Sequence, residues 1–425
     1  MRGFGMMSRE RAPSGVVVAA LDPEDLPTAV VAATLVVPLR GLSRSTVLAA
    51  PLVADLWAAT VAEAAMRAGA EVAVSPVAAV DFAGVTVEAV RARWADVHGL
   101  PYWFSPTALP TALPAGDAVT RARRTALERA ERDEGRWSDR IRAALFGGHR
   151  YGVGHAERIA YLRACGTGDL LRAMGELAAA PPVLAMSAAD GRTAAECAAA
   201  LSAAIATRPS VPPSEGGSAL SSEGVSVPPS ALLSEGPSVS SLAGPIVEGP
   251  DSTAAGPSSR GHYLVGAKGV ALGDEEKFAL HIAWAVLGGR EGELDRRLRH
   301  EDALTYSLAA FSREFAEGGY GLIYGACRAD ALEVVTERVE ETLEWLASAG
   351  PTAAMVDSAK ERLIIRQMQA VQSARGFTER MCGYEIAGIS AGRILDYPER
   401  LERVHAAQVV EAASRFLGSD VRIIG

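Results

Sequence analysis

A long stretch without aromatic residues divides the chain into two parts that must fold on either side of it. Residues 208–261 hold 14 Ser, 9 Pro and 8 Gly among 54 positions, and the run S-V-P-P-S at 210–214 returns at 226–230. This composition buries too little apolar surface to offset the entropy lost on ordering, so it predicts a flexible linker, with a docking tail as the alternative. We therefore expect an N-terminal extension (1–14), a first domain (15–207), the linker (208–261) and a second domain (262–425).

Charge and cysteine content restrict the class of protein. Acidic residues outnumber basic ones by 51 to 42, and this net charge of −9 argues against nucleic acid as the main partner. The four cysteines are too far apart in the chain for a disulfide scaffold or a zinc ribbon. No uninterrupted apolar run reaches the roughly 18 residues that would cross a bilayer, and early charges exclude a signal peptide. We expect a cytoplasmic protein that does not bind membranes.

Both parts combine strand-like and helix-like patterns. In the second part, Leu304, Tyr306 and Leu308 alternate with polar residues, and a similar alternation follows at 320–326, which is typical of paired strands. Apolar residues then recur at helical spacing over 332–346, with glutamates on the opposite face. The two parts share one order of elements, namely a strand, a helix, two antiparallel strands and a helical pair. The pattern predicts an α+β fold of two related domains, each an antiparallel-rich sheet covered by helices.

Familiar catalytic motifs are absent from the sequence. It contains neither G-x-S-x-G nor a phosphate-binding G-x-x-x-x-G-K-[ST] loop. No two of the seven histidines lie within four residues of each other, so a helix with two zinc-binding histidines one turn apart is excluded. The sequence therefore contains none of these complete active-site motifs.

One segment resembles a known family. Residues 288–307 read GGREGELDRRLRHEDALTYS, which is similar to the second-domain signature of the insulinase-like (pitrilysin-like, mitochondrial processing peptidase-like) zinc metallopeptidases. In that family a glycine pair, a helix ending in Arg and a Tyr seven residues later introduce a strand. The strand at 319–325 and the run LFGGHRYG at 145–152 also look like family elements, with Arg150 where Pro is usual. The resemblance covers both parts but not the first dozen residues or the linker.

The departure from the family pattern concerns the metal. Active members carry H-x-x-E-H on the first helix of the first domain, whereas the matching helix here, from Thr46 to Trp57, contains no histidine. Without two imidazoles and the intervening Glu, the chain lacks both the zinc ligands and the general base. The resemblance therefore implies that this chain holds no cofactor, is inactive alone, and works with a homologous subunit that binds zinc.

The resemblance assigns roles to two residues, Arg299 and Tyr306, in catalysis and substrate binding. A Tyr hydroxyl can donate to the oxyanion of amide hydrolysis, and an Arg fork can hold backbone carbonyls in register. Two simpler interpretations stay open, in which Tyr306 is a core tyrosine and Arg299 only stabilises a helix C-terminus. Arg296 or Arg297 could also take the place of Arg299 in the motif.

We therefore expect the zinc-free subunit of a heterodimeric metallopeptidase that binds peptides and, in a bacterial cytoplasm, trims leader peptides or degrades short ones. The alternative is a non-catalytic peptide-binding or scaffold homologue that contributes to no active site. A third possibility is an independent zinc enzyme with ligands that the sequence does not reveal.

Overall fold

Two β-sheets organise the chain, one on either side of the predicted linker. The computed structural model describes residues 7–21, 29–91, 117–132, 136–187, 189, 191–206, 260–289, 291–417 and 422–424. Mixed helices and sheets confirm the predicted α+β fold class. The predicted linker lies outside the described residues, except that Arg260 and Gly261 already belong to the first strand of the second sheet.

The first sheet has six strands in the order β1-β2-β6-β3-β5-β4, antiparallel except for the β2–β6 pair. Its central strands, β3 and β5, are buried on both faces, which explains their nearly continuous apolar sequences. The strands are β1 (Ser8–Arg11), β2 (Val17–Ala20), β3 (Val30–Pro38), β4 (Ala73–Ala78), β5 (Phe82–Val90) and β6 (Val183–Met186), and the helices are α1 (Arg44–Arg67), α2 (Asp117–Arg132), α3 (Arg136–Phe146), α4 (His155–Ala164), α5 (Thr167–Ala179) and α6 (Gly191–Ala206).

Helix α1 is the longest helix among the described residues and packs along the first sheet. The hydroxyl of Ser43 caps its first turn by accepting from the N–H of Thr46, and Gly69, with φ of +70°, follows its end. In length and composition α1 alone among the described helices could cross a membrane, but 61% of its apolar window is buried in the protein. That burial is typical of a core helix, and it places one apolar side of α1 against β4 and β5.

The second sheet has four antiparallel strands in the order β10-β7-β9-β8, so β8 is an outer strand. A core of helices covers one of its faces. The strands are β7 (Arg260–Gly269), β8 (Thr305–Glu314), β9 (Gly319–Arg328) and β10 (Arg422–Ile424), and the helices are α7 (Lys277–Leu287), α8 (Leu332–Ser348), α9 (Ala353–Ala370), α10 (Ala374–Ile386), α11 (Tyr397–Glu402) and α12 (Ala406–Leu417).

The two parts exchange helices. Helix α10, from the second part, covers the other face of the first sheet with Phe377, Met381 and Cys382, and the hydroxyls of Thr378 and Thr34 lie 2.7 Å apart. Each sheet is therefore sandwiched between its own helices and one helix of the other part.

Helix α3, from the first part, packs on the second sheet in return. Its Ile141 contacts Leu264, Tyr320 and Leu322 in one buried cluster. A Cβ on Gly266 would lie 2.1 Å from Cγ1 of Ile141, so the close approach of α3 requires glycine at this position of β7.

A buried polar network, which we call the interdomain network, joins the same two parts beside α3. Asp81 accepts hydrogen bonds from the Tyr151 hydroxyl at 2.7 Å, from Nη2 of Arg150 at 3.0 Å and from the backbone N–H of Ala316 at 2.8 Å. Glu317 forms an ion pair with Arg150. Arg150, where the resembled family usually has Pro, thus carries a charge that binds one carboxylate from each part.

Candidate substrate-binding site

The helix that resembles the family's zinc-binding helix is α1, and its side chains do not fit a zinc ion. Between Thr46 and Trp57 the inward side chains are mostly aliphatic, and Asp55 is the one acidic residue. Its Oδ1 accepts a 2.9 Å hydrogen bond from Arg129 of α2. Burial raises the pKa of Asp55, and the Arg129 guanidinium opposes that rise. The Arg129 guanidinium therefore already pairs with Asp55, the only acidic side chain between Thr46 and Trp57.

The rest of the described chain offers no alternative metal centre. Within the ranges that the structure covers, no three His, Cys, Asp or Glu side chains are grouped closely enough to share an ion. The four cysteines are all buried, and burial raises the pKa of each thiol. Such protonated thiols are poor metal ligands.

Arg299 lies on an unusual helical segment. A helical turn at Glu293–Asp295 continues as a π-turn at Arg296–Glu301, and the N–H of Asp302 donates to the carbonyl of Arg297 at 3.0 Å. The family resemblance implied an ordinary helix that ends at Arg299. A π-turn widens the helix, and such turns often occur at functional sites.

The three arginines of this segment differ in their partners. Arg296 and Arg297 both donate to Glu293, at 2.9 Å from Nε of Arg296 and 2.7 Å from Nε of Arg297. The guanidinium of Arg297 also lies over the ring of Trp345. Arg299 is 53% exposed, and its Nη1 is 3.8 Å from Oδ1 of Asp295. Its contact with a carboxylate is the longest of the three, and it lies in the last turn, where a cation favours the helix end.

Tyr306 is not a core residue, so that interpretation is wrong. The side chain is 57% exposed, because a β-bulge between Thr305 and Ser307 breaks the alternation that would have put Tyr306 on the same face as Leu308. Thr305 occupies the buried position instead, where its hydroxyl lies 3.1 Å from the hydroxyl of Tyr263. Tyr306 is thus presented at the start of the outer strand β8.

Arg299 and Tyr306 lie on consecutive elements joined by residues 302–304, where Ala303 adopts φ of 50°. The N–H of Leu304 donates to the carbonyl of Leu298 at 2.7 Å, which fixes the end of the π-turn against the start of β8. The two side chains have different neighbours, Asp295 for Arg299 and Arg328 for Tyr306.

Two further polar residues of this surface were not assigned a role from the sequence. Asp295 is buried beneath Arg299, and His300 directly follows Arg299 with its Nε2 3.2 Å from Oδ2 of Asp295. Both residues lie inside the family-like segment, so the sequence alone could have nominated them. The contact between them could not be predicted, because it depends on the π-turn.

Comparisons with known proteins agree with this architecture. Residues 234–363 match the family model described as the peptidase M16 inactive domain. The chain is 27% identical over 124 residues to an uncharacterized zinc protease of Bacillus subtilis, a match that spans 29% of this chain and 30% of that protein.

Solved structures resemble the chain over nearly its whole length. A protease from Helicobacter pylori has a TM-score of 0.73 with 12% identity, covering 99% of both chains. A peptidase M16 inactive domain from Pseudomonas fluorescens has a TM-score of 0.69 with 17% identity, covering 99% of this chain and 97% of its own. The fold, the segment that holds Arg299 and Tyr306, and the family-model match agree with one another. The chain resembles the insulinase-like, or M16, peptidases, and residues 234–363 match the inactive domain of that family.

Proposed function

We propose that this chain is the zinc-free subunit of a heterodimeric metallopeptidase and that it contributes Arg299 and Tyr306 to the site where peptides are cleaved. The homologous partner subunit would supply the zinc and the general base. The observation that carries this proposal is the exposure of Arg299 and Tyr306 on a fold whose α1 contains no histidine.

The chemistry of the two side chains suits this division of labour. Amide hydrolysis passes through a tetrahedral oxyanion, and donors aimed at the developing charge lower the barrier. The Tyr306 hydroxyl would donate to that oxygen or to the neighbouring carbonyl, while the Arg299 guanidinium would hold backbone carbonyls of the peptide in register. Losing one such donor typically costs about 3–4 kcal/mol in the transition state.

Two of the four outer strands, β4 and β8, differ in how well they could accept a peptide by strand addition, a mode that recognises backbone rather than side chains. Strand β4 contains Pro76, which has no N–H, and the carbonyl of Pro76 accepts from Arg375 at 3.4 Å. Strand β8 contains no proline and begins beside Tyr306. These features favour β8 for an extended peptide. In a bacterial cytoplasm such a pair would trim leader peptides or degrade short peptides.

Reconstitution tests the proposal. The purified chain is mixed with a homologue from the same genome that carries H-x-x-E-H, and cleavage of a quenched fluorescent peptide is followed. We expect turnover by the mixture and by neither protein alone. A partner in which the Glu of the motif is replaced by Gln should be inactive in the same mixture. Full activity of the partner without this chain would refute the proposal.

That refuting result would favour the second candidate, a non-catalytic peptide-binding or scaffold homologue, which the inactive-domain match also suits. An independent zinc enzyme is the third candidate. Metal analysis of the purified chain distinguishes it, because it requires one zinc per chain and peptide cleavage without a partner.

A further inference from the structure

The π-turn brings two consecutive basic side chains to a single carboxylate. In a regular α-helix the residue five positions ahead points away from the first one, whereas the wider π-turn lets positions four and five ahead flank it. Arg299 and His300 stand four and five residues after Asp295. Nη1 of Arg299 and Nε2 of His300 are 3.8 Å and 3.2 Å from the two carboxylate oxygens.

Asp295 is the buried member of this group. Its side chain is 9% exposed, whereas those of Arg299 and His300 are 53% and 67% exposed. A buried carboxylate is unfavourable unless cations or donors compensate it. Here both compensating groups extend from Asp295 towards solvent, so the carboxylate holds them from below and leaves their outer edges accessible.

The other acids of the segment have different partners. Glu293 binds Arg296 and Arg297, Glu301 binds Arg296, and Asp302 binds Arg338 of α8. Asp295 is therefore the acid that pairs with Arg299. An arginine side chain loses rotamer entropy when it binds a ligand, so fixing it beforehand strengthens binding.

We propose that Asp295 is a positioning residue that orients Arg299 for a peptide carbonyl, and that His300 is a further binding group of the same site. This inference rests on the proposed function. The carboxylate would attract the guanidinium across 3.8 Å and restrict its direction, much as outer-shell carboxylates orient the ligands of metal sites. Because Nε2 of His300 faces Asp295, the other ring nitrogen is the one that would contact the peptide beside Arg299.

A double-mutant cycle in the reconstituted complex tests the positioning role. With the quenched peptide as probe, Arg299→Ala should lower kcat/KM about 100-fold, the lower end of the range for one lost donor. Asp295→Asn should lower it about 10-fold, the lower end for an orienting partner. The double variant should be no worse than Arg299→Ala, because Asp295 acts through Arg299. Equal losses from Asp295→Asn in both backgrounds would overturn the proposal in favour of a structural role.

Three controls keep the outcomes distinct. Asp302→Asn changes a neighbouring acid that binds Arg338, and it should leave kcat/KM unchanged. If Asp295→Asn does not fold, Asp295→Glu keeps the charge while moving it, and wild-type activity of that variant would overturn the proposal.

His300→Ala should raise KM with little change in kcat, and an unchanged KM would remove His300 from the site. An Arg299→Ala variant with full activity would instead contradict the proposed function.

Discussion

The hydroxyl of Tyr151 donates a 2.7 Å hydrogen bond to Oδ1 of Asp81 and accepts one of 3.0 Å from the backbone N–H of Glu317. Tyr151 is almost completely buried, and burial raises the pKa of its hydroxyl, as does the carboxylate of Asp81. The hydroxyl therefore stays a neutral donor at all physiological pH values. A single oxygen atom thus joins the β4–β5 turn of the first part to the β8–β9 turn of the second.

Removing that oxygen tests the interdomain network. Tyr151→Phe leaves the N–H of Glu317 and one oxygen of Asp81 without this partner, so it should lower the free energy of unfolding by about 1–3 kcal/mol. Urea unfolding at neutral pH measures the change. Tyr161→Phe is the matched control, because the Tyr161 hydroxyl has no hydrogen-bond partner among the described residues. Equal effects of the two variants would contradict the role given to Tyr151.

The exchanged helix α10 provides a second prediction. Met381 is fully buried against the first sheet, whereas Met368 of α9 is 51% exposed. Met381→Ala should lower the free energy of unfolding by about 2–5 kcal/mol, since it leaves a cavity between the two parts. Met368→Ala should change it by about 0.5 kcal/mol or less. Thermal unfolding of both variants checks the comparison, and a stable Met381→Ala protein would argue against the packing of α10.

Glu293 predicts a pH dependence of stability. Burial alone would raise the pKa of this carboxyl, but hydrogen bonds and charge from Arg296 and Arg297 outweigh burial and hold the pKa below its ordinary value. A lowered folded-state pKa means that the carboxylate stabilises the fold above its unfolded-state pKa of about 4.3. That contribution is lost as the pH falls through the folded-state value.

The comparison of Glu293→Gln with the wild type between pH 7 and pH 3 measures this contribution. The difference in the free energy of unfolding should be largest at neutral pH and should shrink below about pH 4. Glu344→Gln, on the exposed face of α8, serves as the control. A difference that stays constant over the whole range would show that ionisation of Glu293 contributes nothing.

Tyr306→Phe separates a catalytic role from a structural one. In the reconstituted complex it should lower kcat about 100-fold, because it removes the hydroxyl that would donate to the oxyanion and leaves the ring in place. The melting temperature should not change, since the ring is 57% exposed and Thr305 fills the neighbouring buried position. Unchanged turnover would remove Tyr306 from the site.

Local patterns in the sequence predicted the elements that depend on local periodicity. The acidic helix expected over 332–346 is α8, and the two alternating runs after Asp302 are β8 and β9. The outward position of Tyr306 was not predictable from alternation, because a single bulge residue reverses it. The exchange of α3 and α10 was not predictable either. It depends on contacts such as Thr34 with Thr378, which are far apart in the sequence and leave no periodic signal.

The candidate site was also predictable only in part. The family-like segment identified Arg299 and Tyr306 by their spacing. The carboxylate beneath Arg299 became apparent only once the π-turn placed Asp295 against two successive residues. A helical pattern of period 3.6 puts His300 on another side of the helix, so no periodicity argument would have paired it with Asp295.

The exchange of helices also imposes an order on biosynthesis. The ribosome completes the strands of the first sheet at Met186, but the helix that shields the second face of this sheet begins only at Ala374. Until then the nascent chain carries an uncovered hydrophobic surface, of the kind that aggregates or recruits chaperones. A message truncated between these two points would therefore yield an insoluble polypeptide rather than a usable half-protein.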